Sequence, residues 1–419
     1  MGKLGREVYM ISGGVTKFSK ASPDMDFRLR VKKAFDYAMA DVGMELKDID
    51  GSVASYFSDH FQRQLMSGIM AQDYLGLTPK PSKRVEGGGA TGGLAFQTGV
   101  NEVASGRMDT CVVYGFETMS HVNTWKGNEF IALASDTNFD YPVGGFYTGY
   151  YAMMAVRYMH EFGATPEQLA MVSVKNHKNA LHNPYAQSPM NLTVEDVRKS
   201  PMVSYPLTRL DVCTMSDGAA VAILASKEKA FELCDNPVLI KGIGTGTDTM
   251  RLSDRPFGKV PMLPHEKESD YKNLKYPGVH SFRAGRTAAI EAYKSAGITN
   301  PLKEIDVVEL HDAYTSSEIQ TYEDLGLCKY GEGAKFVESG KADLNSDVSV
   351  NPSGGLLACG HPVGATGIMQ SVFMLWQLQH KIDKHFKDGT QQVKNAKTGL
   401  IHSHAGTGTY VTVSIMEAV

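Results

Sequence analysis

The sequence has no segment of the kind that crosses a membrane and no sign of a secreted protein. No apolar run among its 419 residues approaches the roughly 18 residues that a transmembrane helix needs, and the N-terminus lacks the hydrophobic core of a signal peptide. The five cysteines are scattered, odd in number and without a CxxC pair, which argues against both a disulfide framework and a structural zinc site. With a formal net charge of -4, the chain has no excess of basic residues for binding nucleic acid. We therefore expect a cytoplasmic protein with no metal, membrane or nucleic-acid partner.

Hydrophobic periodicity predicts alternating strands and helices over most of the chain. EVYMISGGVTKF and IDGSVASYF have the pattern of strands, and DFRLRVKKAFDYAMADVGM between them has the pattern of a helix. A further helical pattern covers HFQRQLMSGIMAQDYLGL. This alternation is typical of a parallel sheet with helical crossovers, so the predicted fold class is α/β.

The segment 121–208 interrupts this alternation with aromatic-rich, irregular sequence. Within it, Thr165 and Gln168 form a capping box around Pro166 and predict the start of a helix. The α/β pattern resumes soon afterwards at DGAAVAILAS. We predict an N-terminal half made of 1–120 and 209–235, an inserted loop or substrate domain at 121–208, and a C-terminal half at 236–419.

The two halves share one local pattern, a glycine-rich turn that opens a helix and is followed by an apolar strand. It occurs at 86–115, beginning in VEGGGATGGLAF, and again at 354–416, beginning in GGLLACGHPVGATG. Two similar halves packed together would bring both turns to one shared site.

Histidines in the second half are the candidates for chemistry. His361 in CGHPVGATG precedes a helix and is either a base or a capped loop histidine, while His311 in VELHDAYTSSE follows an apolar strand. Cys359, two residues before His361, is either a thiolate assisted by that imidazole or a small buried residue. His402 and His404 precede AGTG, whose backbone either turns N–H groups toward an oxyanion or forms a plain hairpin.

Four stretches together carry a family resemblance: PLTRLDVCTMSDGAA, HDAYTSSEIQTYEDLGLCKYGEGAKFVESG, NPSGGLLACGHPVGATG and HSHAGTGTY. They resemble the thiolase superfamily, and within it the sterol-carrier-protein-type and archaeal-type thiolases. The resemblance implies two βαβαβ halves in a layered α-β-α-β-α core with an inserted loop domain, and a core that is at least a dimer. It also implies coenzyme A (CoA) thioesters as substrates, with CoA as a substrate and no permanently bound cofactor.

The resemblance also implies roles for single residues. Members of the thiolase superfamily form an acyl-cysteine at a helix N-terminus and pass the acyl group to CoA. His361 would be the base, His311 would polarise a thioester carbonyl, and the Gly89 amide with Ala405 and Gly406 of AGTG would supply an oxyanion hole.

The sequence departs from the family at the nucleophile. The family pattern is approximately VEAACASGSAAF, so VEGGGATGGLAF puts Gly89 where the cysteine belongs. Either Cys359 replaces the nucleophile or CoA attacks directly with the histidines as base and oxyanion donors. Alternatively, the glycine is a substitution in an ordinary thiolase, or the chain is a silent acyl-CoA-binding subunit. The empty side-chain space is expected to admit a larger acyl group, a displaced thiol or a water molecule.

The resemblance further implies a small zinc-ribbon and OB-fold partner subunit, because archaeal-type thiolases often work with one. Among such relatives, those acting on benzoylsuccinyl-CoA match the aromatic-rich insertion, and a short-chain acetoacetyl-CoA thiolase is the alternative. Basic residues of the inserted section and its border (Lys175, Lys178 and Arg209) either meet CoA phosphates or lie on a solvated surface.

Overall fold

The structure, a computed structural model, describes residues 4–255, 261–271, 279 and 281–419. Residues 1–3, 256–260, 272–278 and 280 belong to the predicted halves and lie outside this description.

Ten of the strands found in the described residues form one sheet. The strands are β1 (Val8–Val15), β2 (Gly51–Ser55), β3 (Ser82–Val85), β4 (Thr110–Thr118), β5 (Met202–Ser204), β6 (Leu207–Thr208), β7 (Asp217–Ser226), β8 (Val238–Thr247), β9 (Val307–Glu309), β10 (Ser349–Val350), β11 (Thr398–Ala405) and β12 (Tyr410–Ala418). The sheet order is β10-β9-β11-β12-β8-β1-β7-β4-β2-β3, while β5 and β6 pair separately.

The sheet consists of two five-stranded halves with the same internal order. In both, the third strand along the chain is at the outer edge, followed by the second, fourth, fifth and first. Within the sheet, the strand pairing between the halves that the described residues show is that of β1 with β8, through Tyr9 and Met10. This repeated order confirms the two similar halves expected from the glycine-rich turns.

The helices in the described residues cover both faces of the sheet. They are α1 (Phe27–Asp41), α2 (Asp59–Gln62), α3 (Ser67–Tyr74), α4 (Thr91–Ala104), α5 (Thr124–Ala132), α6 (Tyr147–Phe162), α7 (Pro166–Asn179), α8 (Val194–Lys199), α9 (Lys227–Leu233), α10 (Arg283–Ala296), α11 (Pro301–Glu304), α12 (Thr315–Asp324), α13 (Gly333–Glu338), α14 (Gly355–Cys359), α15 (Val363–Leu378) and α16 (Ile382–His385). No helix among the described residues is both long and apolar enough to span a membrane.

The helices α4 and α15 form the central layer between the two halves of the sheet. They contact each other, and both contact strands of each half, whereas α1 and α10 pack on the outer faces. Every residue of α15 is buried, as expected for a helix that is apolar on all sides. The α-β-α-β-α layering is therefore confirmed, and it brings the two glycine-rich turns together at the start of these central helices.

The helix predicted at 60–77 is two helices in the structure. Arg63 and Met66 have φ values of 52° and 58°, and the right-handed helix cannot continue through left-handed residues. The helix predicted from Thr165 does begin with its capping box, since Thr165 accepts from the Gln168 amide. Segment 121–208 contains helices α5 to α8, and its described residues contribute no strand to the ten-stranded sheet. The domain boundaries themselves stay a prediction.

Candidate active site

A cavity lies where the glycine-rich turn before α4 meets three histidine-bearing segments of the second half. Gly89, His311, His361 and His404 all line it, and its empty space of about 580 Å³ opens toward solvent. His311 follows β9, His361 precedes α15 and His404 belongs to β11. The packing of the two halves therefore brings together groups that lie far apart in the chain, at the strand ends where α/β proteins usually bind ligands.

Gly89 does not leave the empty space expected from its missing side chain. An ideal Cβ on this residue would lie 2.6 Å from the His404 carbonyl oxygen and 3.4 Å from Cε1 of His311. The end of β11 therefore fills the position, which corrects the expectation of room for an acyl group, a thiol or water there. The Gly89 amide lies in the turn that leads into α4, where the first N–H groups of a helix lack an acceptor within it.

His361 is held as a neutral imidazole with a defined tautomer. Its backbone N–H donates to the Thr214 carbonyl at 3.0 Å, and Nδ1 lies 2.7 Å from Oγ1 of Thr366. The Thr366 hydroxyl donates to the Pro362 carbonyl, so Nδ1 carries the hydrogen and Nε2 keeps its lone pair. Burial lowers the pKa of His361 to about 4, and the ring is a free base near neutral pH.

His311 lies between two other imidazoles. Its ring centroid is 4.8 Å from that of His361, edge-on, and 4.3 Å from that of His404. Its Nδ1 is buried without a hydrogen-bond partner, and its backbone amide donates to Nδ1 of His402 at 3.4 Å. Burial, followed by repulsion from the neighbouring histidines, holds the pKa of His311 well below its usual range. A neutral ring with an unpartnered nitrogen is suited to meeting a substrate oxygen or proton.

Cys359 is not among the residues that line the cavity. Its side chain is completely buried in the hydrophobic core, where Sγ lies 3.4 Å from the Ser353 carbonyl and 3.5 Å from Nδ2 of Asn183. Burial raises the pKa of the Cys359 thiol well above its usual range. Gly360, with a φ of 93°, ends α14 between this thiol and His361. The sequence spacing of two residues therefore does not bring the sulfur to the cavity.

Comparison with known proteins identifies the family of this chain. Residues 8–228 match the family described as "Thiolase, N-terminal domain", and residues 267–418 match the "Thiolase C-terminal domain-like" family. The chain belongs to the thiolase family. The acetyl-CoA acetyltransferase of Methanothermobacter thermautotrophicus is similar to it, with 39% identity over 98% of this chain and 100% of that protein.

Two further similarities extend over most of this thiolase-family chain. The benzoylsuccinyl-CoA thiolase subunit BbsB of Thauera aromatica is 32% identical, covering 90% of this chain and 91% of that protein. A solved Ltp2-ChsH2(DUF35) aldolase superposes with a TM-score of 0.79 and 25% identity, covering 99% of this chain and 98% of that one. The predicted thiolase fold is thus confirmed, and the chain is a member of a family of acyl-CoA C-acyltransferases.

The thiol that does line the cavity of this thiolase-family chain is Cys213. Its amide donates to the Ala313 carbonyl at 2.9 Å, which ties it to the loop that carries His311. Burial raises the pKa of this thiol to about 12, so it is protonated at neutral pH. Sequence reasoning missed Cys213, although it lies in the quoted PLTRLDVCTMSDGAA motif, because nothing in the motif shows which side chain faces the site.

Aromatic side chains form the rest of the wall. Tyr147 and Tyr151 come from α6 of the inserted segment, and Tyr151 stacks on Tyr314 with a centroid distance of 4.1 Å. Phe57 lies on the first half. The aromatic character of segment 121–208 was visible in the sequence, but the positions that reach the site were not.

The predicted oxyanion residues of the AGTG turn lie at two neighbouring places. Gly406 lines the cavity, whereas Ala405 lines the wider groove beside it. The Ala405 carbonyl accepts the amides of Gly408 and Thr409, which fixes the turn.

Asp312 connects the two histidine loops. Its carboxylate accepts the amides of Leu356 and Leu357 at 2.6 and 3.2 Å, and Nδ2 of Asn176 at 2.7 Å. It therefore joins the segment after His311 to the helix that precedes His361. Burial, followed by repulsion from Glu318, raises the pKa of Asp312 to about 7.

The basic residues of the inserted section and its border divide into two kinds. Lys175 is buried, forms an ion pair with Glu318 at 2.9 Å and donates to the Val350 carbonyl, so its ammonium group is engaged inside the protein. Lys178 and Arg209 are exposed, as the solvated-surface alternative requires.

Proposed function

We propose that this chain catalyses CoA-dependent cleavage of a 3-oxoacyl-CoA, or the reverse condensation, without an acyl-cysteine at residue 89. The observation that carries the proposal is the cavity in which neutral His311 and His361 face the Gly89 turn while no thiol occupies that position. A member of an acyltransferase family that has both histidines at one cavity has the groups for acid–base chemistry and for oxyanion stabilisation.

In this proposal the CoA thiol is itself the nucleophile. His361 Nε2 takes the thiol proton, the sulfur bonds to C3 of the substrate, and the C2–C3 bond breaks with its electron pair on C2. C2 then gains a proton, so that one thiol proton is consumed and two acyl-CoA molecules leave. His311 and the amides of Gly89 and Gly406 stabilise negative charge on the carbonyl oxygens, where N–H groups held in position act most strongly.

The substrate proposed is a 3-oxoacyl-CoA with either a short or an aryl-bearing acyl group. The similarity to a protein named acetyl-CoA acetyltransferase favours the short group, as in acetoacetyl-CoA. The wall formed by Phe57, Tyr147 and Tyr314 and the similarity to BbsB favour a bulky apolar group, as in benzoylsuccinyl-CoA. We also propose a homodimeric core with a small zinc-ribbon and OB-fold subunit; the name of the similar Ltp2-ChsH2(DUF35) aldolase supports a second component.

A second candidate is aldol-type cleavage of a 3-hydroxyacyl-CoA. This reaction forms no acyl-enzyme. The hydroxyl proton goes to a base, the C2–C3 bond breaks with its electron pair on C2, and C2 gains a proton, so that a carbonyl product and an acyl-CoA leave. It is favoured by the glycine at residue 89 and by the similarity to a structure named as an aldolase.

The deciding experiment offers the purified protein each substrate class, with and without its co-purified small partner. Acetoacetyl-CoA and benzoylsuccinyl-CoA are followed with free CoA, and a 3-hydroxyacyl-CoA is followed without it. The expected result is CoA-dependent product formation that falls by about 100-fold or more in His361→Gln.

Two cysteine variants separate direct attack from a relocated nucleophile. Cleavage that survives in both Cys213→Ala and Cys359→Ala supports direct attack by CoA. Loss in Cys213→Ala with a trapped acyl adduct would instead assign the nucleophile to that thiol. Cleavage of the 3-hydroxyacyl-CoA alone supports the aldol reaction, and stoichiometric acyl-CoA binding without any turnover would contradict both enzyme proposals in favour of a binding subunit.

A further inference from the structure

The wall of the cavity consists of side chains that carry no charge. Its hydrocarbon part is formed by Phe57, Ile131, Ala134, Ala313 and Val363. In the part of the chain that the structure describes, no lysine, arginine, aspartate or glutamate lines the cavity. Because the proposed reaction holds the carbonyl groups of the substrate at the histidines, the acyl chain attached to them has to lie against this wall.

The titratable groups of the wall are neutral as well. Burial, followed by repulsion from neighbouring histidines, holds the pKa of His404 well below its usual range, and burial also lowers the pKa of His311 and of His361. Burial raises the pKa of Tyr147 and of Cys213. At neutral pH these imidazoles are therefore not cations, and the hydroxyl and the thiol are not anions.

Two tyrosine hydroxyls of the wall are engaged by the protein itself. The Tyr151 hydroxyl lies 2.6 Å from Nε2 of His404 and 2.8 Å from the Gly406 carbonyl oxygen. The Tyr314 hydroxyl lies 3.4 Å from Oγ1 of Thr148. These hydroxyls fix the wall, and they offer an acyl chain an aromatic surface more than a hydrogen-bonding one.

Charged residues occur beside the cavity, but the lysines and arginines of the described chain do not line it or the wider groove next to it. Arg255 has an exposure of 4% and donates to Oγ1 of Thr407 at 2.9 Å. Glu86 and Asp248 line the groove, and Asp248 forms an ion pair with Arg283. A carboxylate moved from water into the cavity would lose its hydration without gaining a cation at the wall, which is costly.

We propose that the acyl chain accepted by this cavity is uncharged, and that a carboxylate on that chain excludes a 3-oxoacyl-CoA from the site. This inference rests on the proposed function and narrows its substrate class. Short alkyl groups and aryl groups without a carboxylate meet the condition. Among aryl substrates it favours benzoylacetyl-CoA over benzoylsuccinyl-CoA, which has the same aryl ketone and an additional carboxymethyl group.

The test compares two substrates of equal chain length with the full-length protein and free CoA. 3-Oxohexanoyl-CoA ends in a methyl group and gives acetyl-CoA and butanoyl-CoA, whereas 3-oxoadipyl-CoA ends in a carboxylate and gives acetyl-CoA and succinyl-CoA. The kcat/KM of wild type should be higher for the methyl-ended substrate by about 100-fold or more. The methyl ester of 3-oxoadipyl-CoA, which is longer but neutral, should stay within about 10-fold of 3-oxohexanoyl-CoA.

A cation placed beside the acyl chain should weaken this preference. Ala134 is partly exposed and lines both the cavity and the groove, so a lysine at this position can reach a carboxylate at their border. Ala134→Lys should narrow the ratio between the two substrates by about 10-fold or more, because the ammonium group supplies the missing counter-charge. Ala134→Met is the matched control, since its side chain is long but uncharged and should slow both substrates to the same extent.

Each outcome decides between the inference and the function on which it rests. A smaller ratio in wild type overturns the inference, as does a methyl ester cleaved as slowly as the free acid, because size would then be the cause. Equal ratios in Ala134→Lys and Ala134→Met also contradict it. A wild type that cleaves no substrate overturns the proposed function, and equilibrium binding then decides the inference: hexanoyl-CoA should bind more tightly than adipyl-CoA by about 10-fold or more, and equal Kd values would overturn it.

Discussion

Adding a single methyl group at Gly89 should destabilise the protein, although alanine usually strengthens the start of a helix. Gly89 does not have a positive φ, so the backbone itself tolerates a side chain. The new Cβ would, however, lie 2.6 Å from the His404 carbonyl oxygen, and a backbone atom in a sheet cannot move away freely. Overpacking of this kind costs about 1–3 kcal/mol, offset by about 0.4–1 kcal/mol from the more restricted unfolded chain. Taking the middle of both ranges, we expect Gly89→Ala to lower the free energy of unfolding by about 1.3 kcal/mol.

Urea unfolding measures this effect, and two variants complete the design. Gly89→Cys adds the same Cβ and should lose as much stability, so that placing a thiol there does not by itself restore a family-type active site. Gly149→Ala is the matched control, because Gly149 lies in the first turn of α6 and its Cβ would meet nothing within 4 Å. It should gain about 0.5–1 kcal/mol. Gly89→Ala with wild-type stability would refute the account of a filled position, and Gly89→Cys with stable, strongly raised thiolysis would show an intact cradle that lacks only its nucleophile.

Three further predictions concern Cys359, His361 and Asp312. Cys359→Ala should leave turnover unchanged and lower the free energy of unfolding by about 1 kcal/mol, because the sulfur fills the core and contacts Ser353 and Asn183 away from the cavity. Initial rates and urea unfolding curves measure both, and a loss of turnover at full stability would contradict this. The His361 pKa of about 4, against 6.5 when unfolded, means that the unfolded chain binds a proton first, so this residue's contribution to stability is present above pH 6.5 and is lost as pH falls toward 4. Between pH 7 and pH 5, wild type should therefore lose more free energy of unfolding than His361→Gln does, as measured by unfolding curves at both pH values. An equal loss in the two proteins would contradict this prediction. Asp312→Asn should cost about 2 kcal/mol and lower turnover, because an amide cannot accept from Leu356, Leu357 and Asn176 together; Asp343→Asn on the exposed surface should change neither stability nor rate.

The inserted segment supplies part of the wall of the cavity. Tyr147 and Tyr151 reach the cavity from one helix that begins after the irregular part of this segment. Substrate profiles on Tyr147→Phe would measure what this helix contributes to the shape of the acyl pocket.

The sequence by itself determined the family, the two-half architecture and the candidate histidines. Long motifs and a repeated glycine-rich turn carry that information, because each is local in the chain and has a distinctive composition. The lack of a cysteine in VEGGGATGGLAF was equally plain from the sequence. His311 and His361 could be predicted as partners because both follow from motifs at known positions of a repeated fold.

Only the tertiary structure decided what surrounds Gly89 and which side chains face the site. The carbonyl of His404 fills the position of the missing side chain, Cys359 faces the core, and Cys213 lines the cavity instead. The Tyr151–His404 pair joins an inserted helix to the last hairpin. Such contacts depend on how strands and helices from distant parts of the chain pack within a few tenths of an ångström, and no local pattern of residues encodes that distance.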